Sequence, residues 1–425
     1  MGLDLMSKNI YKLKEVADIT MGQSPKSEYY NENGDGTPFL QGNSTFRDKY
    51  PTIEKFTTKE TRISKKNSVL MSVRAPVGEI NINPLERICV GRGLCSISLH
   101  NKQNEYLYYY LKSKQKLIQS KGTGTVFSSI NKKDVKNIEI YLPEIREIEA
   151  RTLPLKLIDD KIENNNAIIA NLEEQAQTIF KSWFVDFEPF QEEEFVESEL
   201  GEIPKGWKIV RFDELIDFKN GFSFKSKEIN DTPRNIDDLK VFKMGDIKVG
   251  GGINPNKTKS WVTREYVKNN KLEKFIAEKG LLLMCMTDMK NNVRLLGHTA
   301  LINSSDEYII NQRVGMIKPK LNSSITSSFL YILTNNDKFL SDLRSRANSG
   351  VQVNLSTKEI KNSLVILPKD HILNQFNQIS EDIFEHRFNL EKQNENLMKI
   401  RDTLLPKLMS GEIRVEEAIE VKQTL

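Results

Sequence analysis

Residues 155–183 read LKLIDDKIENNNAIIANLEEQAQTIFKSW, and stepping through them by three and four gives Leu155, Ile158, Ile162, Asn165, Ile169, Leu172, Ala176, Ile179 and Trp183. A narrow stripe at that spacing is the seam of a helix that needs a partner. The spacing returns 221 positions later, in Phe376, Ile379, Ile383, His386, Leu390, Gln393, Leu397, Ile400 and Leu404. The partner is therefore expected in the same chain. One such helix at the end of each half describes a molecule built twice.

The duplication is not confined to the helices. KLKEVAD at 12–18 is matched by RFDELID at 211–217, and the turns GQSPKS at 22–27 and GFSFKS at 221–226 follow them. Further on, LQGN at 40–43 faces KMGD at 243–246, each after a phenylalanine, Phe39 or Phe242. Short β-rich runs (68–73 and 281–286, then 78–82 and 297–302) precede helix-like stretches at 105–120 and 327–346. The blocks close alike, SINKKDVKN at 129–137 against NLSTKEIKN at 354–362, with a strand ending at Pro143 or Pro368. The offset is 225 in those closing segments and 221 in the seams, so the first half carries four extra residues around 151–154. Pro154 is expected to kink or start the long helix there.

This pattern predicts an α+β chain, two pseudo-repeated mixed domains separated by two long helices. The expected boundaries are domains at 1–143 and 207–368, helices at 144–186 and 369–411, and a short tail at 412–425. Between the halves lies a linker, 187–206, in which residues 187–202 hold seven glutamates and no Lys or Arg. It is expected to be exposed.

A net charge of +4 conceals an uneven distribution. Residues 11–143 carry +8 and 207–368 carry +9, whereas 144–206 carry −10 and 369–425 carry −3. Basic domains alternating with acidic helical segments suit a polyanion binder with separate spacers, although a Lys-rich solvated surface gives the same excess. The longest apolar run, 280–286, is too short to span a bilayer, and no charged-then-apolar leader opens the chain. Membrane association is not expected, and the cytoplasm is the expected location. Cys89, Cys95 and Cys285 form no C-x-x-C pair, and His100, His298, His371 and His386 lack ligand spacing, so buried thiols and no metal are expected.

Catalytic signatures are missing. There is no phosphate loop, no H-E-x-x-H, no G-x-S-x-G elbow, and no Pro-Pro pair of the kind an amino-methyltransferase motif needs. Gly122-Thr123-Gly124 lacks a third glycine, and Gly250-Gly251-Gly252 reads as a loop. The chain is expected to bind rather than catalyse. Asn165, His386 and Gln393 are polar interruptions that fix register in an apolar seam. If the helices pair antiparallel with their crossing near Ile169 and Leu390, Asn165 faces Gln393; His386 reads as a partly solvated edge residue. At 1.5 Å per residue the 155–183 helix spans roughly 42 Å, against about 34 to 36 Å for a turn of DNA. Two basic domains held on such a spacer imply a two-part target with an unread gap.

The segments FKSWFVDF at 180–187 and LLPKLMSGEI at 404–413, with GEIPKGW at 201–207, resemble signatures of the specificity subunit of type I restriction-modification systems. The resemblance covers essentially the whole chain. It implies a non-catalytic DNA reader with two target-recognition domains, each followed by a helix, and the two helices paired as an antiparallel coiled coil. Each domain reads one half of a bipartite asymmetric duplex site. Two methyltransferase subunits dock on the coils and adjacent surfaces and bring S-adenosylmethionine-dependent adenine methylation. Restriction subunits add ATP/Mg-dependent translocation and cleavage. No cofactor belongs to this chain itself.

Residue chemistry selects the expected contacts. Arg pairs bidentately with guanine, and Asn or Gln with adenine. The base readers are expected to be Gln41, Asn43, Arg74 and Arg92 in the first domain and Asn291, Arg294, Arg313 and Gln352 in the second. Lys26, Lys121, Thr123, Lys225, Arg346 and Ser349, in turns or beside glycine, suit phosphates. Two other classes remain open from the residues alone, a stand-alone DNA-binding regulator and a self-contained methyltransferase. The absent Pro-Pro motif argues against the latter.

Overall fold

The computed structural model describes residues 9–120, 129–254, 259–289, 293–321, 323–349 and 352–413. Both halves are built on the same pair of sheets. In the first, an antiparallel sheet runs in the order Ala17–Met21, Leu94–Leu99, Val69–Ser72, Ile80–Ile82, and a second sheet sets Thr37–Leu40 parallel to Arg87–Val90. In the second, the corresponding order is Ile216–Asn220, Val314–Pro319, Leu282–Cys285, Thr299–Leu301, with Leu239–Phe242 parallel to Tyr308–Ile310. A two-stranded ribbon ties the beginning of each domain to its end, Ile10–Lys12 to Glu139–Tyr141 and Lys208–Arg211 to Leu364–Leu367. The central strands, Val69–Ser72 and Leu282–Cys285 among them, are buried on both faces, so each domain packs apolar clusters on either side of its antiparallel sheet.

The ladders correct the sequence pairing of LQGN with KMGD by one residue. Leu40 lies beside Val90 and Phe242 beside Ile310, and the amides of Gln23 and Phe222 bond to the carbonyls of those same two partners. Leu40 is thus the counterpart of Phe242, and Gln41 of Lys243. The short helical turn that follows begins one residue sooner in the second domain, at Met244, two residues past Phe242, whereas Asn43 is three past Leu40. Gly42 and Gly245 misled the alignment because they sit at different points of that turn.

Two long helices, Ile145–Phe184 and Asp370–Ser410, follow the closing strands. Contacts divide the chain into two units through both helices, one of residues up to 165 with those from 393 onward, the other of residues 166–392. In the first unit Arg401 pairs with Asp159 at 3.0 Å, and Asn165 Nδ2 donates to Gln393 Oε1 at 2.7 Å and Asn394 Oδ1 at 2.8 Å. In the second, Glu173 meets Arg387 at 3.3 Å, and the rings of Phe180 and Phe376 are 5.8 Å apart. Rising numbers on one helix meet falling numbers on the other in both units. The pairing is antiparallel.

The first helix begins at Ile145, not at Pro154, which lies inside it. Its start and that of Asp370 keep the 225-residue offset of the domains, so the four extra residues form about one additional turn. Arg151 sits there, donating through Nη1 to the carbonyls of Leu408 at 3.1 Å and Met409 at 3.0 Å. A cation thereby caps the C-terminus of the second helix, where Gly411 ends it with φ +77°.

The buried stripe also departs from the predicted seam. On the second helix it follows Leu373, Asn377, Ser380, Phe384, Arg387, Asn394, Arg401, Leu405 and Leu408, one position beyond most seam residues. Phe376 is buried and Ile383, Leu390, Leu397 and Leu404 are half-buried, but Ile379, His386, Gln393 and Ile400 are exposed. Hydrophobicity missed the stripe because four of its members are Asn or Arg, buried on paired partners. On the first helix Leu155, Ile162, Asn165 and Ala176 are buried, whereas Ile158, Ile169, Leu172, Ile179 and Trp183 are half-buried beside buried Asp159, Phe180 and Phe184. Each helix packs on a domain as well as on its partner, so the covered arc is broader than a two-position seam.

The acidic linker is folded rather than free. Phe195–Val196 pairs with Ile203–Pro204, and Phe187, Phe190 and Trp207 form an aromatic cluster with Phe184. Its glutamates are partly neutralised, Glu193 by Lys369 at 3.0 Å and Glu194 by Lys205 at 2.6 Å.

Candidate nucleic-acid interface

In the first domain three chain segments cross at one end of the sheets. A Cβ on Gly22 would lie 2.1 Å from the Gly91 carbonyl oxygen, one on Gly91 2.8 Å from Gln41 Cα, and one on Gly93 2.7 Å from the Gln41 carbonyl oxygen. Only glycine permits this crossing. Backbone bonds pin it, Gly91 to Leu40, Gly93 to Gln41 and Val73 to Gly93. The side chains flanking the crossing point to solvent: Gln23, Lys26, Gln41, Arg74 and Arg92 are exposed and Asn43 is half-exposed. Ser24 Oγ accepts the Arg92 amide at 3.2 Å, and Arg74 bridges to Ser129. Five expected readers and phosphate ligands thus gather on one face. Lys121 and Thr123, with the Gly122–Gly124 turn, lie outside the described residues.

The second domain repeats the backbone crossing with one of its glycines, Gly221; Asn311 and Arg313 stand where the first domain has Gly91 and Gly93. A Cβ on Gly221 would lie 2.2 Å from the Asn311 carbonyl oxygen, and the amides of Gly221 and Met286 bond to Val314 and Arg313. Arg313, Gln312, Lys225 and Gln352 are exposed there. Gln352 belongs to the strand Gln352–Asn354, paired with Thr287–Met289. Arg313 Nη1 donates to Gln352 Oε1 at 2.8 Å. Asn291 lies outside the described residues, as does the side chain of Ser349.

Two expected contacts are placed differently. Arg346 makes a two-pronged ion pair with Asp342, Nε to Oδ2 and Nη2 to Oδ1, both at 3.0 Å, so its fork is spent on its own helix. The i, i+4 spacing explains this and was legible. Arg294 is exposed, and its carbonyl accepts from Arg344 at 2.8 Å. Conversely, Gln312 and Lys243, the ladder counterparts of Arg92 and Gln41, were missed. Correct strand register would have found them.

Buried ionic networks hold each domain to its helices. In the first unit Tyr109 donates to Asp159 at 2.5 Å, Arg401 bridges Asp159 and Asp48, and Lys112 lies 3.7 Å from Asp48. Burial opposes the charge on Asp48, but Lys112 and Arg401 outweigh it and hold the carboxyl below its usual range. In the second unit Tyr331 donates to Glu173 at 3.1 Å and Arg387 spans Glu173 and Glu391. The Gly250–Gly252 turn packs on this group; a Cβ on Gly251 would lie 2.6 Å from the Tyr331 hydroxyl. Buried His298 accepts the Gly250 amide at Nε2 and faces Asn335 Oδ1 through Nδ1 at 3.0 Å. Burial lowers its pKa. The three cysteines are buried, and burial pushes the Cys95 and Cys285 thiols up to about 12.

The geometry defines a duplicated protein, each domain placing exposed Lys, Arg and Gln side chains beside a backbone crossing, at Gly22 in one and Gly221 in the other. The family profile described as "Type I restriction modification DNA specificity domain" matches residues 7–174 and 204–399, and the chain belongs to that family as a non-catalytic specificity subunit that recognises DNA targets. The MjaIX specificity subunit of Methanocaldococcus jannaschii is 28% identical over 96% of this chain and 94% of that protein. The HindI specificity subunit of Haemophilus influenzae is 25% identical over 78% and 79%. A solved S subunit from M. genitalium shares the fold, with TM-score 0.50 at 18% identity over 94% of this chain and 95% of that one. Among the described residues no helix is long and apolar enough to cross a membrane.

Proposed function

We propose that the chain reads a bipartite, asymmetric DNA target, one half per domain, and carries two adenine-methyltransferase subunits and, in a full complex, restriction subunits. The observation that supports this most directly is the repetition of one backbone crossing, at Gly22 and at Gly221, with different exposed side chains. Lys26, Gln41, Arg74 and Arg92 flank it in one domain, and Lys225, Gln312, Arg313 and Gln352 in the other. The shared backbone presents a side-chain set to a groove, and the differing sets read differing sequences. S-adenosylmethionine would enter with the methyltransferase partners and ATP/Mg with the restriction partners. This chain contributes sequence choice and scaffold. Exchanging residues 11–143 for a homologous domain tests the reading: one half of the methylated sequence changes and the other persists. Change in both halves, or in neither, contradicts it.

A further inference from the structure

Arg313 and Gln352 are 39 residues apart, yet both are fixed to one short segment. The Met286 amide bonds to the Arg313 carbonyl, Leu355 bonds back to Met286, and Gln352 pairs in register with Met289. Between these anchors the guanidinium donates from Nη1 to Gln352 Oε1 at 2.8 Å, with both residues exposed beside the glycine crossing. Arginine has only donors, so the bond settles which end of the Gln352 amide faces it. The bond takes one of the two lone pairs of the Gln352 oxygen and turns that oxygen towards the guanidinium, with the NH2 group at the other end of the amide. The guanidinium keeps its other N–H donors.

An arginine held this way selects among bases. Adenine's major-groove edge offers one acceptor and one donor, and Gln pairs with it bidentately only if its oxygen and NH2 both face the base, whereas here the oxygen is turned to Arg313. Cytosine offers a donor, which meets donors. Guanine offers two adjacent acceptors, N7 and O6, which match the arginine fork. We propose that Arg313, held in orientation by Gln352, reads a guanine in the half-site of the second domain, and that Gln352 is a positioning residue rather than an adenine reader.

The proposal rests on the two-part reading above, and one experiment separates the two. The full chain is co-expressed with its methyltransferase partner, and methylated adenines are mapped for the wild type and for Arg313→Lys, Arg313→Ala and Gln352→Ala. Arg313→Lys keeps a phosphate-neutralising charge but loses the fork. The expected result is a guanine in the second half-site that becomes degenerate in both Arg313 variants, with discrimination at that position falling roughly ten- to a hundredfold. Gln352→Ala relaxes the same position less, and the first half-site stays unchanged in all three, which also reports folding. A second half-site still fully specified in Arg313→Lys overturns the proposal and leaves the bipartite reading standing. A wild-type target without two parts overturns the reading itself.

Discussion

At the residue scale, the buried charges set the sharpest expectations. Arg401 and Asp159 are 4% and 3% exposed in their side chains, so removing one partner strands a charge. Arg401→Met is expected to destabilise the chain by about 3–5 kcal/mol, and adding Asp159→Asn to recover part of it. Urea unfolding of the single and double variants measures both. His298 adds a pH dependence of definite sign. Its folded pKa lies below the usual imidazole value because burial, and to a lesser degree Arg344, disfavours the charged ring. The unfolded chain therefore binds the proton first, and stability present above about pH 6.5 is lost as pH falls from there through the lower folded pKa. Comparing denaturation midpoints at pH 7.5 and 5.5 is expected to show a loss that His298→Gln reduces. An equal loss in the variant would remove His298 from the account.

At the element scale, the helices show what a sequence discloses and what it conceals. Their existence and copy number follow from spacing, and the meeting of Asn165 with Gln393 from spacing once an antiparallel crossing near Ile169 and Leu390 is assumed. The buried stripe does not, because Arg387, Asn394 and Arg401 are polar letters whose burial depends on partners distant in sequence. The domains were legible as repeats, and the one-residue slip at Leu40 arose from a turn whose length differs between copies. Among the expected DNA contacts, Lys26, Gln41, Arg74 and Arg92 lie exposed around a glycine crossing, as their turn and glycine neighbours suggest. The pairing of Arg346 with Asp342 was legible in the i, i+4 spacing, which a charge inventory overlooks. The displaced stripe is testable: Leu405→Ala is expected to destabilise by about 2–5 kcal/mol, while Ile400→Ala, at a side chain 50% exposed, shifts stability far less. Equal effects would restore the original seam. Gly22→Ala forces a Cβ onto backbone at 2.1 Å and is expected to lower the melting temperature strongly, more than Gly42→Ala, which meets nothing within 4 Å.

At the scale of the whole molecule, duplication is the organising fact. Two domains of one topology, each joined to part of both long helices, give one chain the two readers that the proposed function requires. The extra turn around Arg151 breaks the repeat and supplies the cation that caps the second helix, so Arg151→Ala is expected to loosen the C-terminal end, seen as faster amide exchange at residues 405–410. Four residues inserted after Leu172 advance the helix by just over a turn and are expected to change the gap between half-sites or abolish assembly. The most direct test of the central claim is mapping of methylated adenines in cells carrying this chain with residues 11–143 replaced by a homologous domain. The account predicts a target in which one half is new and the other is retained. A target altered in both halves, or in neither, would contradict it.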